Sequence, residues 1–152
     1  MKLKEILKRN AVLGDLRATE KKGVLEELSG LVSKAWPDLS TDNVLQVLLE
    51  REKLGSTGVG NGVAIPHGKV AGLKAIVAAF GRSPKGVEFQ SHDHKPARLF
   101  FVLLAPENAV GNHLQALARL SRLLKGETVR NRLIEVKSES LYDLLISEDE
   151  KL

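Results

Sequence analysis

The chain has 152 residues, 43% of them hydrophobic and 28% charged, with no cysteine and a net charge of +4. That length suits one domain spanning 1–152 with a sizeable core, and the missing cysteine excludes disulfides, thiol nucleophiles and Cys-type zinc sites. The basic excess is mild and interleaved with acids, as in KKGVLEEL, so it reads as solvated helix faces rather than a nucleic-acid footprint.

In chain order, Leu3 to Lys8 reads as a short helix and Ala11 to Leu16 as a short strand. The N-terminus is basic but has no apolar run of signal-peptide length. Thr19 is a candidate N-cap for a helix ending near Ala35, with Val24, Leu25, Leu28, Leu31 and Val32 on one face and Pro37 as a stop. Ser40 or Thr41 caps the next helix, with Val44, Leu45, Leu48 and Leu49 inward and Gly55 at its end. A glycine-rich loop, GSTGVGNG, leads into a short apolar strand, Val63 to Ile65. Ala75 to Phe80 and Leu99 to Ala105 are continuous apolar runs, which reads as strands buried on both faces. A helix from near His113 to Lys125 follows, with Leu114, Leu117, Ala118, Ser121 and Leu124 along one face and Gly126 at its end. Two more helices are expected near Val129–Val136 and Leu141–Ile146. Helices and buried strands alternate, which gives an α/β class with helices covering a central sheet. With aromatics at only 4%, the core is expected to be mostly Leu, Val, Ile and Ala. The run Leu99 to Ala105 is too short to cross a bilayer, so no membrane insertion and a cytoplasmic location are expected.

The chemistry concentrates between Arg51 and Lys69. Gly55, Gly58, Gly60, Gly62 and Gly68 suggest close backbone approach, but neither the Walker A nor the dinucleotide spacing is present. His67 lies in IPHG, directly after the short strand, where ligands gather in open α/β sheets. Imidazole is largely neutral at pH 7 and can form a covalent phosphoramidate. Spacing alone leaves His67 equally readable as a capping or core histidine. Arg51 offers a planar cationic fork, and Ser56 and Thr57 offer hydroxyls to a phosphoryl group. His113 falls in the first turn of a helix, where anions are favoured; a packing histidine is the plainer reading. His92 and His94 in SHDHKP, with Asp93, could bind zinc, with His67 or His113 completing the site, but a polar loop next to Pro96 is the better reading. Arg119, Arg122, Lys125, Arg130 and Arg132 come nearest to a basic cluster and suit an acidic partner or a phosphorylated site as well as nucleic acid.

Taken together, LLEREKLGSTGVGNGVAIPHGK (48–69), SHDHKPARLFFVLLAPE (91–107) and GNHLQALARLSRLL (111–124) resemble the type 2 enzyme IIA family of the phosphotransferase system. These are the fructose- and mannitol-like IIA domains, and the likeness, from about Leu7 to Ile146, is strongest to the nitrogen-regulatory branch. The resemblance implies a mixed central sheet flanked by helices on both faces. It implies phosphorylation at His67, with Arg51 and His113 beside it, and needs neither cofactor nor metal. The implied donor is the phosphohistidine of HPr or of its nitrogen-branch paralogue, fed by phosphoenolpyruvate through enzyme I. The implied acceptors are regulatory target proteins or a sugar-specific IIB, with no role for nucleic acid. A Met1 start without IIB or IIC segments, and the GSTGVGNG loop, fit a regulatory carrier. A transport IIA, a non-catalytic module that kept the fold, and more remotely a zinc hydrolase are the competing readings.

Overall fold

The computed structural model describes residues 1–152. A six-stranded mixed sheet forms its centre. Its strands are β1 (Leu7–Leu13), β2 (Gly58–Gly60), β3 (Val63–Ala64), β4 (His67–Val70), β5 (Val77–Val87) and β6 (Ala97–Pro106). The order is β1-β5-β6-β3-β2, with β4 also pairing β6 further along the same edge as β3. β1 runs parallel to β5, β3 and β4 run parallel to β6, and the β5–β6 and β2–β3 pairs are antiparallel. The helices are α1 (Lys21–Ala35), α2 (Thr41–Lys53), α3 (Val110–Leu123), α4 (Glu127–Glu135) and α5 (Leu141–Glu150). None is long and apolar enough to cross a membrane.

The two faces follow from the strand period of two. On β5 a Cβ at Gly81 would meet Leu16 and Leu28, so this face packs on α1. The next residue, Arg82, points the other way, to the carbonyls of Leu133, Ile134 and Val136 at the end of α4. Helices α1 and α2 therefore cover one face, and α3, α4 and α5 the other. All four phenylalanines are fully buried, Phe80, Phe100 and Phe101 on β5 and β6 and Phe89 just past the end of β5, as the edge-to-face pairs Phe80–Phe101 and Phe89–Phe100. The few aromatics are thus concentrated in a core otherwise made of Leu, Val, Ile and Ala, as expected.

Several expected elements move. The N-terminal helix is only a 3₁₀ turn, Leu3–Glu5, because one turn cannot sustain itself and Leu7 is taken by pairing with Ala78. The first strand accordingly starts at Leu7 rather than Ala11 and stops before Gly14, where a Cβ would collide with Ser138. Leu16 lies outside it, although buried. Helix α1 ends at Ala35 as expected, but its N-cap is Glu20 rather than Thr19, without a side-chain cap. The Glu27 carboxylate instead accepts the Arg17 and Ala18 N–H groups ahead of the helix. Ser40 does cap α2, accepting the Asn43 N–H at 3.3 Å. The two apolar runs become longer strands, Val77–Val87 and Ala97–Pro106, since their pairing continues past the apolar residues.

The largest correction concerns α3. The helix starts at Val110 and buries His113, Ala116, Leu120 and Leu123, whereas Leu114 is 63% exposed and Ala118 and Ser121 face solvent. Of the expected face, Leu124 is buried and Leu117 half-buried against the core, but the buried stripe is centred one residue earlier, on His113. Helix α3 stops at Leu123, and Gly126 is the N-cap of α4 rather than the end of α3.

Candidate functional site

His67 opens β4, one residue beyond the break that Pro66 makes in the sheet edge. Proline lacks an N–H, so it is tolerated where the chain steps between two short edge strands. Its carbonyl still accepts the Leu103 N–H at 3.0 Å, which holds the step against β6. The pleat then sends His67 towards α3 and Gly68 towards α2. A Cβ on Gly68 would sit 2.4 Å from Val47 Cγ1, so only glycine lets α2 approach this closely.

The result is a cleft of about 420 Å³ at the sheet edge, walled by α2 on one side and α3 on the other. Val47, Glu50, Arg51 and Leu54 line one wall, and His67, Lys69 and His113 the other. The rings of His67 and His113 meet edge to face, with centroids 5.6 Å apart. Arg51, in the last turn of α2, is steadied by an Nη1–H bond to the Gly55 carbonyl at 3.0 Å.

The tautomer of His67 follows from its partner. Nδ1 lies 2.7 Å from the Ile65 carbonyl, which can only accept, so Nδ1 carries the proton and Nε2 keeps a free lone pair. The pKa of His67 is lowered, first by burial and further by the Arg51 charge; the Ile65 hydrogen bond and Glu52 oppose the shift. His113 is lowered too, by burial first, then by His67 and Lys69. Both rings therefore favour the neutral form. Nε2 of His113 is buried with no hydrogen-bond partner, which is costly for a polar atom unless something completes the site.

The structure thus brings Arg51, His67 and His113 together. It does not bring Ser56 and Thr57 to the cleft. The Ser56 hydroxyl donates to the Phe89 carbonyl at 2.7 Å, and that of Thr57 donates to Glu52. Lys69 was missed by sequence reasoning, although two residues along a strand from His67 puts it on the same face. His92 and His94 lie in a turn closed by Asp93, which accepts the Asn61 and Lys95 N–H groups. No three metal-ligating side chains gather there. The basic cluster is partly structural: Arg119 binds Asp149, Arg132 binds Glu148, and Arg130 holds the Leu124 and Lys125 carbonyls.

This edge-strand histidine between two helices can be set beside known proteins. The family model described as "Phosphoenolpyruvate-dependent sugar phosphotransferase system, EIIA 2" matches residues 5–148. The chain belongs to that family. A nitrogen regulatory protein of Bradyrhizobium diazoefficiens is 40% identical over 95% of this chain and 95% of its own length. The fructose-specific EIIABC component of Bacillus subtilis is 38% identical over 99% of this chain, which spans only 24% of that longer protein. Among solved structures, the nitrogen regulatory protein IIA-Ntr of Neisseria meningitidis superposes with a TM-score of 0.85 at 40% identity, covering 93% of this chain and 97% of that one. The mannitol IIA of Escherichia coli gives 0.74 at 28% identity, covering 90% and 96%. The single-domain mixed sheet flanked by helices is the fold of these IIA proteins.

Proposed function

We propose that this EIIA-family protein is a phosphohistidine carrier in which His67 Nε2 takes a phosphoryl group from the phosphohistidine of HPr or a nitrogen-branch paralogue. The observation that carries the reading is the Nδ1–H bond to the Ile65 carbonyl, which leaves Nε2 unprotonated. In the transfer, the His67 Nε2–P bond forms as the donor's N–P bond breaks. The donor ring leaves with that electron pair. His67 gains positive charge, which its Nδ1–H shares with the Ile65 carbonyl.

Phosphoryl transfer depends on stabilising charge over three oxygens more than on covalent help. Arg51 and Lys69 bring two cations to the cleft, and the His113 tautomer with its proton on Nε2 would donate that unpaired N–H to an oxygen of the transferring group. Ser56 and Thr57 act through the loop they fix. Direct transfer between two histidines requires a docked protein. Leu54 in the cleft wall, 83% exposed, and Val110 and Leu114 beside His113 supply apolar surface for it.

We read the role as regulatory, with the phosphorylation state of His67 controlling target proteins. Relatives named nitrogen regulatory protein match nearly end to end, such as that of Pseudomonas aeruginosa, 36% identical over 96% of both chains. Transfer onward to a fructose- or mannitol-type IIB is the second reading, favoured by the Bacillus fructose-specific relative.

The deciding test is intact-mass detection after incubation with phosphoenolpyruvate, enzyme I and HPr. One phosphoryl group, labile in acid and stable in base, is expected on the parent and absent from His67→Ala. Labelling of His67→Ala would place the nucleophile elsewhere, and an unlabelled parent beside a labelled control IIA would refute the carrier. Loss of that label to a fructose-type IIB would favour the transport role.

A further inference from the structure

We propose that Glu52 is a positioning residue for this transfer: it pins the loop on which Arg51 rests, and so holds the Arg51 guanidinium beside His67. The inference builds on the reading of His67 as acceptor and Arg51 as its charge stabiliser.

Neighbouring helix residues diverge by about 100°. Arg51 faces the cleft, so Glu52 faces away from it, towards α1 and the loop that follows α2. Its side chain is only 6% exposed. One carboxylate oxygen accepts the Thr57 N–H at 3.1 Å and lies 2.8 Å from Lys21 Nζ. The other accepts the Thr57 hydroxyl. Lys21 is itself fixed, 3.2 Å from the Gln90 side-chain oxygen and 4.7 Å from the centroid of the Phe89 ring.

The loop between these anchors is short. Leu54 ends the helix, Gly55 takes φ +143°, and Ser56 is tied to the Phe89 carbonyl. Arg51 donates to the carbonyl of Gly55, in the middle of the span that Glu52 closes at Thr57. Without Glu52, that carbonyl loses its fixed place and Arg51 loses its rest. A buried ion pair is weak ground for stability alone, since desolvation offsets its attraction. A role in geometry explains its place beside the cleft better. The two adjacent charges also act in opposite directions on His67.

The test is single-turnover transfer from phosphorylated HPr, resolving the saturating rate from the half-saturating HPr concentration. Glu52→Ala is expected to lower the rate about tenfold, because small misplacements are costly in group transfer. Its half-saturating concentration should stay within about twofold, because Leu54 is held at the end of α2 by its own backbone N–H bonds to the Arg51 and Glu52 carbonyls, and Val110 and Leu114 lie on α3. Glu52→Gln, which keeps an oxygen for the Thr57 N–H, should recover most of the rate. In an Arg51→Ala background, adding Glu52→Ala should cost less than about twofold more, since both changes remove one interaction. Should Glu52→Ala not fold, Thr57→Val removes the hydroxyl bond alone and should show the same non-additivity. Parental rates in Glu52→Ala or Thr57→Val, or losses that multiply in the double variant, would overturn the positioning role. A parent that takes up no phosphoryl group would instead overturn the carrier reading and this inference with it.

Discussion

Gly68→Ala isolates the close approach that brings Arg51 to His67. The added Cβ would lie 2.4 Å from Val47 Cγ1, and ordinary contact begins at 3.4 Å, so about 1 Å must be found. Val47 cannot swing aside easily, because β-branched side chains in helices are held to one χ1 rotamer. Overpacking of this kind costs about 1–3 kcal/mol, while losing a glycine from the unfolded chain returns about 0.4–1 kcal/mol. The clash wins, for a net loss of about 1–2 kcal/mol. With a urea m-value of about 2 kcal/mol/M, the unfolding midpoint should fall by about 0.5–1 M. If α2 moves by the missing ångström, Arg51 moves with it, and transfer to His67 should slow by about 10–100-fold. Val47→Ala in the same chain removes the colliding methyl, so the double variant should regain both stability and rate beyond the sum of the single changes. Urea titration and single-turnover labelling check this together. A Gly68→Ala protein with parental midpoint and rate, or a double variant no better than Gly68→Ala, would refute the argument that this glycine sets the spacing.

His113→Ala should leave His67 able to accept a phosphoryl group but slow the transfer by about 10²-fold, the usual effect of losing one donor to developing charge; an unchanged rate would remove His113 from the site. Stability should fall as pH drops from 7.5 to 5.5, because the pKa values of His67 and His113 are lowered on folding and the unfolded chain therefore binds more protons in that window. The double replacement His67→Gln, His113→Gln should flatten the slope of urea midpoint against pH. Arg82→Met should destabilise by about 3 kcal/mol, since it strands buried carbonyls of Gly14 and Leu133 that the guanidinium now satisfies; a loss below about 1 kcal/mol in urea unfolding would show that water replaces it.

The parts of the fold that depend on local pattern were legible. The apolar runs became β5 and β6, the cap at Ser40 holds, and α1 stops at Ala35 ahead of Pro37. The errors arise where a distant partner decides. Leu7 joins a strand because Ala78 is opposite it, against the helical reading of its neighbours. His113 turns inward because it meets His67 across the cleft, and that misassigned the buried face of α3. IPHG marked the histidine, but nothing local brings residue 113 to it. Lys69 follows from the period-two rule only if a strand runs on through His67, whereas the expected strand ends at Ile65 with His67 just beyond it and β4 is a separate strand.

That placement on a strand matters chemically. A loop histidine could turn either ring nitrogen outward, whereas β4 fixes the ring against the Ile65 carbonyl and leaves only Nε2 facing the cleft. Burial adds to this by disfavouring the imidazolium, which has no lone pair at Nε2 to offer phosphorus. Arg51 and Lys69, the cations proposed to serve the phosphoryl oxygens, also oppose protonation of the rings, Arg51 at His67 and Lys69 at His113. In the proposed transfer, one arrangement of charge would therefore disfavour protonation of His67 beforehand and stabilise the dianion afterwards. Glu52 works against that at His67 through its own charge, so its place beside the site is better explained by the loop it holds than by its field.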